Sequence, residues 1–405
     1  VTVAMSNGYL TGTKTIDAEN GVAAFTDLYK YGLVGTTKVL SFTSPDIQGI
    51  SQAAFTLTPG AVNKVVAVTP AIGFSSGVAF STQPVIQIQD QDGNKVVSSN
   101  AEVTVTSSGT ATLSGTIKMD AVAGEADFIG KGLTLTGSIG NNTLKYAIES
   151  PAPYYEEQVV TLEPGVATKL VQTTLATNFV NRENFESQPV IEVRDASNNL
   201  VTSNTDNVTI AISTGNLTGT TTVAAVGGVA TFSGLGKNGT VGSKRLTFTS
   251  GSLTEATQDF TLTFGAATKL GLTTNAAGLN SGSIFSTQPI VKIQDADGNT
   301  VTNSSATVDV AQSAGVLSGT STMNADSGVA NFDGKNLKLT GTSNTSYTLT
   351  FTSTGLTDAT QTFTLDAGAA HHLAIIAAPT SAQNRIDFGT QPIIEVHDVS
   401  KNPVP

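Results

Sequence analysis

From Gln83 to Asp90 the chain reads QPVIQIQD, and its apolar residues alternate: Ile86 and Ile88 share one side of an extended backbone, while Val85, Gln87 and Gln89 share the other. The alternation returns at Ile191/Val193, Val291/Ile293 and Ile394/Val396, with Glu192/Arg194, Lys292/Gln294 and Glu395/His397 on the opposite side. A period of two with one apolar and one wet face predicts a β-strand packed on one side. The pairs Val103/Val105, Val208/Ile210 and Val308/Val310 predict a second strand. A later one is predicted by Leu40/Phe42, Leu144/Tyr146, Leu246/Phe248 and Leu349/Phe351. No helical periodicity competes with these readings.

The alternation sits inside a larger repeat. A stretch of fifteen residues, FSTQPVIQIQDQDGN from Phe80, recurs in closely or loosely copied form at Phe185, Phe285 and Phe388, and its Gln-Pro pairs are 105, 100 and 103 residues apart. A second marker, Leu-x-Gly-Thr, begins at Leu10, Leu113, Leu217 and Leu317, each followed fifteen residues later by Phe25, Phe128, Phe232 or Phe332. An interval held in four copies predicts a hairpin of fixed register. A third marker closes each unit: FTLTPG, VTLEPG, FTLTFG and FTLDAG. The units are therefore 61–165, 166–265 and 266–368, flanked by the back part of one unit at 1–60 and the front part of another at 369–405. A period near one hundred residues matches a self-contained domain rather than a solenoid coil.

About seven strands per unit, separated by Gly, Asn and Asp turns, predict an all-β chain: a tandem array of immunoglobulin-like β-sandwiches. Composition sharpens this. Of 405 residues 39% are apolar, Trp is absent and there is no Cys. Disulfide staples and thiolate chemistry are thus excluded, and apolar contact alone is expected to join the two sheets of each unit. Phe128, Phe232 and Phe332 are expected at equivalent buried places, each full burial contributing about 1.5–3 kcal/mol. QIQDQDGNKV, the VTV that follows, and GVATF (Gly228 to Phe232) resemble the bacterial immunoglobulin-like repeats of invasin- and intimin-type adhesins and of surface-layer proteins. The resemblance covers every unit and implies the sandwich fold and a place outside the cell.

Candidate chemistry is sparse. With a net charge of −11 and 20 basic residues, the chain has no electrostatic footprint for nucleic acid. No apolar run is long enough to span a membrane. Asp90, Asp92, Asp295 and Asp297 are candidate calcium ligands, because closely spaced carboxylates suit a hard cation. The competing reading is a hairpin turn, for which Asp-Gly and Gly-Asn are standard. It is favoured because the EF-hand spacing fails and the other two copies carry Ser197 and Ser400 at the second acid. No cofactor is expected. His372 and His397 align with polar strand positions and read as solvated, which disfavours His371–His372 as a metal site. Lys64, Lys169 and Lys269 recur without a regular Asn or Asp partner for an isopeptide bond. Six sequons begin at Asn141, Asn207, Asn216, Asn238, Asn303 and Asn344. The complete units hold no His, so no nucleophile–base pair of the Ser-His type can be assembled there.

These readings predict a non-enzymatic structural protein of a prokaryotic surface, a stalk, fibre or surface-layer component, whose partners are neighbouring copies of itself. An adhesin recognising a glycan or receptor through exposed loops is the alternative; no aromatic cluster is confined to one loop, and Tyr154-Tyr155, its best candidate, stands alone. The end fragments predict a window on a longer array, with strand donation between copies as the rival.

Overall fold

The computed structural model describes residues 1–380 and 383–405. Among them there is no helix, so none is long and apolar enough to cross a membrane. The unit at 61–165 has two main sheets. One pairs Lys64–Thr69 with Val85–Gln89 and Glu125–Asp127; the other runs in the order Lys118–Asp120, Glu102–Ser108, Gly140–Ile148, Tyr154–Leu162. A ribbon of Ala111–Ser114 and Thr134–Gly137 closes the side. The same three sheets, in the same order, recur in the next two units. The chain is all-β, a tandem array of immunoglobulin-like sandwiches.

The inward residues are those the alternation selects. Ile86, Ile88, Val103, Val105, Leu144 and Tyr146 are fully buried. One buried cluster draws on residues from Val65 to Leu162, a second from Leu170 to Leu262 and a third from Leu270 to Leu365. Phe128, Phe232 and Phe332 are each at most 1% exposed. Their amides donate to the carbonyls of Pro84, Pro189 and Pro289, at 3.1 Å in each case. The Gln-Pro opening and the distant Phe are thus two ends of one contact.

The constant Leu-to-Phe interval is not a hairpin. Leu113 pairs with Leu135 in the side ribbon. The chain then passes through Lys118–Asp120 in the four-stranded sheet and Glu125–Asp127 in the three-stranded sheet before reaching Phe128. The interval measures a crossing between sheets. Its length is fixed because both ends are anchored in the same core.

Apolar contact is also not alone in joining the sheets. Gln158, on the last strand of the four-stranded sheet, donates from Nε2 to Ala71 O (2.7 Å) and accepts from Ala71 N (3.2 Å). Gln258 grips Ala176 in the same two-way fashion, and Gln361 grips Ala276. Gln83, Gln188 and Gln288 make a second clamp, each bonding the N–H and C=O of Leu133, Leu235 or Leu337. A buried amide that satisfies both a backbone donor and an acceptor removes two desolvation penalties at once.

Candidate functional site: the junctions between units

The fifteen-residue repeat ends in a tight loop, and the loop is a turn in all four copies. The amide of Asp90 donates to Asn94 O (2.9 Å) and that of Gly93 to Asp90 O (3.1 Å), with equivalent bonds at Asp195, Asp295 and Asp398. The fourth loop residue is left-handed: Gly93 and Gly298 have φ of 87° and 86°, Asn198 and Lys401 of 71° and 65°. Glycine and asparagine favour that conformation.

Each loop reaches beyond its own unit. Asp90 Oδ2 accepts from the amide of Gly60 (2.8 Å), Asp195 from Gly165 (2.7 Å), Asp295 from Gly265 (3.0 Å) and Asp398 from Gly368 (2.8 Å). These glycines are the residues where one unit passes into the next. A methyl group on Gly165 would run into the carbonyl oxygen of Ser76, and one on Gly368 into that of Ser281, so a side chain is sterically refused there. The asparagine four residues after each Asp bridges to the preceding unit. Asn199 Nδ2 donates to Gly137 O (2.9 Å) and its Oδ1 accepts from Ile139 N (3.1 Å). Asn94 holds Gly32 O and Val34 N, Asn299 holds Gly239 O and Val241 N, and Asn402 holds Gly341 O and Ser343 N.

The carboxylates are buried: Asp195 and Asp295 are 1% exposed and Asp398 fully enclosed. Burial pushes these carboxyls up. The Asn amide and three backbone N–H groups on each of Asp90, Asp195 and Asp398 outweigh it and hold them below the usual range. Asp295 is held down by Gly265, Asn299 and Asn181 against the same burial. The oxygens of Asp90 receive N–H donors from Gly60, Asp92 and Asn94. The Asp92 and Asn94 donors are the partners that a hairpin turn supplies to its own first residue. Asp297 is turned to an Arg182 ion pair and Asp92 to the amide of Gly32. No group of three or more His, Cys, Asp or Glu placed to hold a metal ion occurs among the described residues.

Of the other candidates, Lys269 touches this site, its Nζ donating to Ala296 O of the Asp295 loop at 3.2 Å. Lys64, Lys169 and Lys269 are half-buried on their strands. Asn238 is half-buried and the other five sequon asparagines are exposed. His372 sits across from His397 on adjacent strands, with His371 beside it and Glu395 3.0 Å from His397. One aromatic cluster escaped sequence reasoning. Tyr9 and Tyr31 stack at 5.0 Å across a two-stranded ribbon, with Tyr29 at 6.0 Å from Tyr31. Tyr9 and Tyr29 are 64% and 62% exposed. They lie twenty residues apart, so no single loop shows them together. The junctions did leave a signal: Gly to Asp is 30 residues in all four copies, although the units differ in length.

No protein-family model matches the chain, and no curated protein does. Among solved structures, the chain is similar to the Escherichia coli adhesin FdeC, at 15% identity over 77% of this chain and all of that one, with a TM-score of 0.32. The surface-layer protein SbsC, domains 1–6, matches at 15% identity over 100% of this chain and 54% of that one (TM-score 0.25). Invasin, a bacterial integrin-binding protein, matches at 13% over 78% and 63% (TM-score 0.29). The chain spans about a quarter of the Parabacteroides merdae β-glucuronidase chains it also matches, covering 24% of them. Adhesins and surface-layer proteins are the groups that the sequence resemblance named.

Proposed function

We propose that the chain is a non-enzymatic structural segment of a prokaryotic cell surface, a rod of stacked sandwiches in a stalk, fibre or surface layer. One observation carries this reading: the same Asp–Gly–Asn clamp, with no linker, at four successive boundaries. Linkerless units bonded through buried side chains resist bending, which suits a spacer or tile. Copies of itself are the natural lateral partners, and a net charge of −11 disfavours nucleic acid. An enzyme would concentrate unlike residues in one place. One open groove, lined by Ser213, Ser243, Lys244, Arg245 and Asp259, holds an exposed Arg245–Asp259 ion pair and no His beside its serines. No calcium is expected at the junction loops, where backbone and Asn donors surround Asp90, Asp195, Asp295 and Asp398.

Two measurements test this. Antibody raised against residues 61–368 should label intact cells of the source organism; label confined to broken cells overturns the surface assignment. Chelation should leave the unfolding midpoint unchanged. A fall of many degrees, restored by calcium and abolished by Asp92→Asn with Asp297→Asn, overturns calcium independence.

The Tyr9–Tyr29–Tyr31 face favours a second reading, an adhesin that stacks a sugar ring on exposed aromatics. Tyr9 and Tyr31 occupy positions held by Thr112 and Thr136 in the next unit. Binding on a glycan array, lost in a Tyr9→Ser/Tyr31→Ser variant, would establish this role; no binding would dismiss it.

A further inference from the structure

The junctions share the clamp but differ in the residues around it, and the differences are paired. At the third loop position stand Asp92, Ser197, Asp297 and Ser400. Asp92 accepts from the amide of Gly32; facing the other three from the preceding unit are the two residues that lie four and three positions before its Phe: Ser76-Gly77, Asn181-Arg182 and Ser281-Gly282. Ser76 Oγ bonds Ser197 Oγ at 2.9 Å, and Ser281 Oγ bonds Ser400 Oγ at 3.0 Å. Where the loop carries Asp297, the opposing residue is Asn181, donating to Asp297 and to Asp295 at 2.8 Å each. Arg182 adds a two-pronged contact to Asp297, from Nε at 2.8 Å and from a terminal nitrogen at 2.7 Å. Serine meets serine, and an amide with a guanidinium meets a carboxylate.

The backbone supplies a second, independent observation. Gly77 and Gly282 are left-handed, with φ of 75° and 73°. Arg182 holds the same conformation at φ 63°, although its side chain makes that costly. Glycine relieves that strain in the two sibling units. A strained residue persists where something else requires its side chain, and the only partner bonded to the Arg182 side chain among the described residues is Asp297 of the next unit.

We propose that each junction is a matched pair, so that the residues four and three positions before the Phe of one unit select the third loop residue of the unit that follows: Ser-Gly takes Asp-x-Ser-x-Asn, and Asn-Arg takes Asp-x-Asp-x-Asn. The array therefore has a written order, and units cannot be exchanged without loosening the rod. Mismatch leaves either a carboxylate facing a hydroxyl without its cation or a guanidinium facing no anion. Asn384-Arg385 repeats the second kind, with Arg385 at φ 67°, and is accordingly suited to an acidic loop.

The proposal rests on the rod reading, and the absence of Cys makes it directly testable. Cysteines introduced at the exposed positions Ser252 and Thr354 place one spin label on each side of the Asp295 junction in the full chain. Pulsed electron resonance then reads the distance distribution between the two units. The unchanged junction should give one narrow peak. Arg182→Gly alone and Asp297→Ser alone should each broaden it, while the unfolding midpoint of the Arg182→Gly chain does not fall, since the strain is relieved. The triple change Asn181→Ser, Arg182→Gly, Asp297→Ser rewrites the junction as its sibling and should restore the narrow peak. Unchanged width in the one-sided variants, or no recovery in the triple variant, overturns the matching. A broad distribution in the unaltered chain contradicts the rod itself, which separates the two failures.

Discussion

Ile86 and Ile88 are completely buried, whereas Ile394 and Val396, at the same places in the same fifteen-residue stretch, are 48% and 41% exposed. Both stretches form the same strand, paired to the preceding one with the same bulge two residues before its end. Both end in the same loop, with Asp90 and Asp398 bonded to a junction glycine at 2.8 Å and with Asn94 and Asn402 bridging to the unit before. Only the cover differs. Residues 61–165 bring a four-stranded sheet over the apolar face, whereas the described residues of 369–405 form the strand pair His372–Ala377 and Ile393–His397. The repeat therefore encodes two separable things. Strand, turn and junction clamp are local and survive in the open half; burial depends on strands that come sixty residues later.

This contrast can be broken by mutation. The largest effect is expected in the core: Phe285→Ala should cost about 3–5 kcal/mol, because Phe285 is 2% exposed. Phe388→Ala, at the matching place but 42% exposed, should cost under about 1 kcal/mol in denaturant unfolding. Similar losses at both would mean that the open half is covered in solution. Next come the clamps. Asp195→Asn and Asp398→Asn should each cost about 1–3 kcal/mol, since a buried donor loses its partner. The readout is faster exchange of the Gly165 and Gly368 amides, and equal acceleration at both is required if the clamp is local. The sign with pH follows from the lowered carboxyls. Their stabilisation is present above the ordinary value of 3.8 and disappears as pH falls through the depressed folded value. Acid should thus free both amides together.

A pH-dependent effect concerns Lys237, buried where the sibling units carry Leu135 and Leu339. Burial pushes its ammonium from 10.5 down to about 8, with Glu183 pulling the other way. The unfolded chain then holds a proton that the folded chain has lost, so stability rises with pH between about 8 and 10.5. Unfolding of the parent chain should show that rise, and Lys237→Leu should remove it; equal slopes would place Lys237 in solvent.

Most of the fold could be read from alternation. Ile86/Ile88 and Val103/Val105 declared their inner faces because a strand has a period of two, and the repeat of Phe128, Phe232 and Phe332 marked a shared core. The Leu-to-Phe interval misled because spacing records only that two ends are anchored, not which sheet holds each. The calcium candidates were legible as turns through the loop residues themselves. Their role at the junction was not, since Asp195 finds Gly165 and Asn199 finds Gly137 only after two units have been placed end to end.

The sequence by itself determined the all-β class, the repeat, the inward positions and the turns, because each depends on neighbours a few residues apart: alternation, left-handed glycines, and side chains that bond their own loop. Tertiary structure decided the rest. Gln158 and Ala71 meet across two sheets, Tyr9 and Tyr31 stack across a ribbon, and Arg182 meets Asp297 across two units. Such contacts join residues from 22 to 115 positions apart. Each depends on a geometry that no local pattern carries, and that geometry turns a repeated turn into a joint.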